Sequence, residues 1–143
     1  MSDRVKIGTH EVWREPDTGF IGIAHNGLLD GKDAEALIKV LLEYTSQLPP
    51  GEASFILADH RNATGMTGEA RKVFTSSGTT SDTSYLAIYG MSFAFGIVFK
   101  LLMKAFALVS PIKLVASAVT DEAEARVWLT EQQRRYRAQK SSR

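Results

Sequence analysis

The residues best equipped for chemistry are three histidines, His10, His25 and His60, together with the triplet Asp59-His60-Arg61. No two histidines have the short helical spacing that lets a pair of imidazoles grip one metal ion. The chain contains 0 cysteines, which removes thiolate ligands, disulfides and thiol nucleophiles together. Asp59, His60 and Arg61 are the right types to bind an anion or move a proton. They are consecutive, however, and successive side chains of an extended segment point to opposite faces, so the three do not converge. No G-x-S-x-G elbow presents a serine nucleophile. Gly22 and Gly27 are too sparse for a dinucleotide loop, and no P-loop string occurs. The expectation is a binding protein with no catalytic residue, no metal and no cofactor. In that reading Asp59-His60-Arg61 anchors a loop.

These residues must be positioned by a chain of 143 residues, the length of one domain. A hydrophobic fraction of 44% is enough for a core. The 17 basic and 16 acidic side chains leave a net charge of +1, which argues against a nucleic-acid partner. The basic cluster Arg134, Arg135, Arg137, Lys140 and Arg143 reads as a solvated helix end, where cations favour the negative end of the dipole. The first residues carry no apolar leader core. The most apolar stretch, Leu86 to Val119, is broken by Gly90, Lys100, Lys104, Ser110, Pro111 and Lys113. A spanning helix needs about 20 mostly apolar residues, so a soluble, cytoplasmic protein is expected.

Period and punctuation predict the elements. Two β-prone runs, Thr9–Arg14 and Gly19–His25, flank Pro16-Asp17-Thr18-Gly19, which reads as a hairpin turn. Asp30 caps a helix carrying Ala34, Leu37, Ile38, Leu41 and Leu42, and Pro49-Pro50-Gly51 ends it. Ser54–Asp59 reads as a buried strand. A short helix starts near Thr67 and runs through Ala70, Val73 and Phe74 into the polar loop Thr75–Ser84. Tyr85–Tyr89 is a strand, Met91–Leu108 a helix and Ile112–Val119 the last strand. Asp121, with Glu124 three residues on, caps a final helix that turns Ala125, Trp128 and Leu129 inward. The order β-β-α-β-α-β-α-β-α predicts an α/β fold with a mixed, mainly parallel five-stranded sheet and four helices, the first strand being an antiparallel edge.

This order, with the strings Leu57-Ala58-Asp59-His60-Arg61-Asn62-Ala63-Thr64-Gly65-Met66-Thr67-Gly68-Glu69-Ala70-Arg71 and Thr120–Leu129, resembles the STAS domain of anti-sigma factor antagonists and of the cytosolic tails of sulfate transporters. The likeness is greatest to stand-alone bacterial STAS-like proteins, and it spans about residues 10–135 of a single domain. The resemblance implies a non-enzymatic regulatory module working through protein–protein contact. The antagonists open the helix after the third strand with a phosphorylatable serine. Here Met66-Thr67-Gly68-Glu69 occupies that place, and Thr67 is the only hydroxyl beside the acceptor position. The resemblance thus implies a recognition surface of Thr64, Gly65, Met66, Thr67, Gly68, Glu69 and Arg71. Thr67 is either its phospho-acceptor, with phosphate favoured at a helix N-terminus, or simply the helix cap.

Met91–Leu108 is more apolar than one sheet-covering helix requires. Ser92, Gly96, Lys100 and Lys104 form a narrow polar stripe on an otherwise apolar cylinder. Phe93, Phe95, Phe99, Lys100, Leu102, Met103, Lys104 and Phe106 are therefore a candidate oligomer, partner or lipid face. A second copy in a homodimer, a protein partner, a peripheral membrane surface, a small apolar ligand or another part of the chain could cover it. The alternative to a regulatory module is accordingly a small-molecule or lipid carrier with this helix lining an apolar cavity.

Overall fold

Residues 4–76, 83–109 and 113–141 are described by a computed structural model. Chain order is β1 (Val5–Ile7), β2 (His10–Arg14), β3 (Ile21–Leu29), α1 (Gly31–Ser46), β4 (Ser54–Met66), α2 (Gly68–Ser76), β5 (Thr83–Tyr89), α3 (Phe93–Val109), β6 (Lys113–Val119) and α4 (Glu122–Ser141). The strands form one 6-stranded sheet in the order β1-β2-β3-β4-β5-β6. β1, β2 and β3 are antiparallel, and β3 to β6 are parallel.

The α/β class, the four helices and the mixed sheet agree with the sequence-based expectation; the strand count does not. The sheet has six strands rather than five, because Val5-Lys6-Ile7 adds an edge strand. Three residues with a lysine in the middle are too short to show a period. They pair because Gly8, at φ +59, turns the chain back on β2. β4 also runs on past Asp59 to Met66. Its polar second half does not read as strand, but it pairs with Asn26–Leu29 of β3 through two register shifts.

Side chains alternate between two faces of the sheet. Phe55, Leu57, Tyr85 and Ala87 face α4, which inserts Ala125 and Leu129, both 0% exposed. Ile21, Ile23 and Ile56 face the opposite way, against Leu37 and Leu41 of α1. α2 adds Ala70 and α1 adds Ala34 around Leu29. Capping is as the sequence predicts at three helices. Asp30 Oδ1 accepts from the Asp33 N–H at 2.8 Å, Thr67 Oγ1 from the Ala70 N–H at 3.1 Å, and Asp121 Oδ1 from the Glu124 N–H at 2.9 Å. Ser92 Oγ caps α3 in the same way, accepting from the Phe95 N–H at 3.1 Å. Pro111 and Ser110, the expected end of that helix, and most of the Thr75–Ser84 loop lie outside the described residues.

α4 is fastened across its face. Arg126 donates to both carboxylate oxygens of Glu15 at 2.9 and 2.7 Å. Gln133 donates to the Thr18 carbonyl at 2.9 Å, and Tyr136 donates to the Gly51 carbonyl. The basic end of α4 partly pairs within its own helix, Arg134 and Arg135 both meeting Glu131. Arg143 lies outside the described residues.

The hairpin of β2 and β3 depends on one close approach. Trp13 lies flat over Gly22, opposite it in the ladder, and Arg4 stacks on the outer side of the ring at 3.9 Å. A Cβ on Gly22 would lie 2.1 Å from Cε2 of Trp13. Gly22→Ala is therefore expected to lower stability by about 1–3 kcal/mol, as overpacking does. Urea unfolding measures the loss; an unchanged midpoint would show that the ring can move away freely.

Candidate functional site

The sheet brings together the three histidines that the sequence separates. Glu11 pairs with Ala24, which sets His10 beside His25 on neighbouring strands. Ala24 pairs with Asp59, which sets His60 beside His25 on the other side. The ring centroids are 5.6 Å apart between His10 and His25, and 4.6 Å apart between His25 and His60, both edge-to-face. Phe95 of α3 extends the row, 4.8 Å from His60. All three imidazoles are buried, at 1%, 9% and 6% exposure.

Their bonding differs. His10 Nδ1 accepts from the Asn26 N–H at 3.0 Å, so its proton resides on Nε2, which lies 3.2 Å from the Leu28 carbonyl. The Nδ1 atoms of His25 and His60 are buried with no partner among the described residues. Burial, with the neighbouring rings of His60 and His10, pushes His25 down to about 3. Burial also pushes His60 down to about 4, against the pull of Asp59. Both rings are neutral at neutral pH.

The row ends at a cavity of about 160 Å³ between the sheet and α1, α2 and α3. Ile56, Ala58 and Ile88 form its floor, and Phe95, Phe99 and Leu102 of α3 form its roof. His25 and His60 lie in its wall and also border a second void of about 10 Å³. The larger space matches an apolar cavity that accepts benzene, and the smaller is the size of one water. Among the described residues no cluster of His, Asp and Glu could hold a metal ion. No helix among them is long and apolar enough to cross a membrane.

The expected site residues fall in three places. Asp59 and Arg61 point away from His60, to the α4 side, where Arg61 donates to both oxygens of Asp59 at 3.0 and 2.8 Å. Burial raises the Asp59 pKa, but the hydrogen bonds from Arg61 outweigh it and hold the carboxyl below its ordinary value. The triplet is thus divided between the two faces of the sheet, and Asp59 and Arg61 serve each other.

Thr64, Gly65 and Met66 close β4, and Thr67 caps α2. Thr64, Gly68, Glu69 and Arg71 are exposed, Gly65 and Thr67 are half-buried, and Met66 turns inward to the cavity. The Thr67 backbone is also held, its N–H donating to the Leu29 carbonyl at 2.9 Å. The apolar residues of α3 divide between two faces. Phe95 and Leu102 are buried, and Phe99 and Met103 line the cavity with them. Phe93 is exposed, as are Lys100 and Lys104. Ile97, Leu101 and Leu108, apolar residues of the same helix, join that outer face. The side chain of Phe106 lies outside the described residues.

No protein-family profile matches the chain, and no curated protein matches it. Among solved structures it is similar to an uncharacterised protein of the DUF3478 family with a SpoIIAA-like fold, from Shewanella loihica. That similarity covers 90% of this chain and 95% of the other, at a TM-score of 0.54 and 16% identity. The fold is therefore STAS-like, as the sequence resemblance implied.

The buried neutral rings make stability depend on pH. Below the ordinary histidine value of 6.5 the unfolded chain takes up protons, whereas His25 and His60 in the fold resist until about 3 and about 4. Stability is thus full above that value and falls as pH drops below it, by up to about 1.4 kcal/mol per pH unit for each histidine. Urea midpoints between about pH 7.5 and about pH 5 read this slope. A flat profile would show that the rings are solvated in the native state.

Proposed function

We propose that this STAS-like chain is a non-enzymatic binding module that takes a small apolar molecule into the cavity beneath α3. The observation carrying this reading is the cavity itself, about 160 Å³ with an almost wholly apolar wall, built from sheet and helices together. A recess lined almost wholly by apolar side chains leaves those side chains short of packing partners. A ligand of six to eight non-hydrogen atoms recovers the missing contacts. Its affinity should be on the order of 0.1–1 mM.

Toluene is a suitable probe. Its titration into the full chain is expected to shift the methyl resonances of Ala58, Ile88 and Leu102. Ala58→Leu, which fills the floor, should weaken binding at least about tenfold while leaving the fold intact. Toluene binding that ignores this substitution, or methyl shifts elsewhere only, would sink the reading.

A second reading is the regulatory protein–protein module of a cytoplasmic STAS-like protein. The exposed face of α3 favours it, because Phe93 is 88% and Leu108 86% exposed, with Leu101 between them. Apolar side chains in such a run are characteristic of interaction surfaces. The exposed residues around Thr67 at the start of α2 supply the other recognition surface, with Thr67 as its candidate switch hydroxyl. For a homodimer, light scattering should show mass rising with concentration in the wild type, and Phe93→Ser with Leu101→Ser should abolish the rise. A strictly monomeric wild type that also recovers no partner from its host would count against this second reading.

A further inference from the structure

We propose that His25 and His60 form a polar end of the cavity and select a ligand that carries one hydroxyl group on an apolar body the size of a phenol. The proposal rests on the cavity reading above and specifies what that cavity takes. The two rings are neighbours at 4.6 Å, nearly perpendicular, and both lie in the cavity wall. Each has its Nδ1 sealed from the cavity as well as from solvent, without a partner among the described residues, so a ligand meets the other nitrogen, Nε2, of each ring. His10, next in the row, uses both of its nitrogens within the protein.

The chemistry of the pair narrows the class. A neutral imidazole carries one N–H donor and one bare nitrogen acceptor. Two neighbouring neutral rings therefore offer both functions at one place. A hydroxyl matches them through a single atom, since it donates one hydrogen and accepts at its lone pairs. A carboxylate has no donor and would enter an apolar space facing rings that burial keeps uncharged. An ammonium loses its hydration and gains no anion, because Asp59 lies on the opposite face in its pair with Arg61. A pure hydrocarbon fits the walls but leaves the nitrogens unmatched. A polar site of this kind discriminates against a ligand lacking the group it is built to bond.

Beyond the polar end, Ile56, Ala58, Ile88 and Leu102 hold the apolar body, and Phe95 places an aromatic edge beside His60. The volume suits a body of about one six-membered ring.

Phenol and toluene differ by the hydroxyl alone in polar character, so their affinity ratio is the readout. His60→Leu and His25→Leu are each expected to lower the phenol-to-toluene affinity ratio about tenfold, the worth of one ligand hydrogen bond. In the wild-type chain, imidazole 15N resonances of His25 and His60 should move with phenol and stay with toluene, which keeps the proposal testable should either variant fail to fold. Toluene binding with an unchanged ratio in both variants, or no movement of either imidazole with phenol, overturns the hydroxyl proposal and leaves the cavity reading standing. Failure of both probes to bind overturns the cavity reading, and this proposal with it.

Discussion

The handedness of parallel crossovers governs this molecule. β3, β4, β5 and β6 lie side by side in chain order, so each of the three crossovers advances in the same direction. A right-handed β-α-β unit then has one choice of face, and α1, α2 and α3 must share it. Three helices crowd one side of the sheet, and α4 alone covers the other. The cavity arises on the crowded side, where Ala58 and Ser84 leave space among the larger strand residues Ile56, Leu86 and Ile88, beneath a helix of large ones. A bulky residue in place of Ala58 would close much of the gap, and the chain does not use one.

The other face solves the opposite problem. One helix must cover what three cover opposite, so the strands supply the volume instead. Phe55 and Tyr85 stack with centroids 5.1 Å apart and 7° between their planes, and Tyr136 and Trp128 pack at their edges. The bidentate pair of Arg126 with Glu15 then fixes the rotation of α4 about its axis. It ties the helix to the β2–β3 turn, a residue separation of 111 along the chain. Loss of either partner would leave the other half-buried beside apolar side chains.

Most of the architecture was legible because local signals and the global fold agree. The caps at Asp30, Thr67 and Asp121, the turn at Pro16–Gly19 and the alternating strands each depend on near neighbours in sequence. What escaped depends on pairing across strands. β1 exists because β2 is there to bind it, and Asn62–Met66 are extended because β3 continues beside them. The α3 surplus was visible as composition but not as two faces, since the division between roof and outer surface is set by what lies underneath. The histidine row had a partial signal. His10 and His25 are equidistant from the centre of the predicted turn, so hairpin register places them opposite each other. His60 carried no such mark, because no local rule fixes the register of a parallel neighbour.

The chain has 2 tryptophans, and both belong to the α4 side of the sheet. Trp13 lies over Gly22 and donates to Glu15 at 3.4 Å, and Trp128 packs near Tyr85. Neither lines the cavity. The molecule is thus optically divided. Its indole emission reports the docking of α4 and the integrity of the hairpin, while the compartment beneath α3 is lined by phenylalanine and histidine and is dark at those wavelengths. A ligand could enter and leave that compartment without changing the protein's fluorescence.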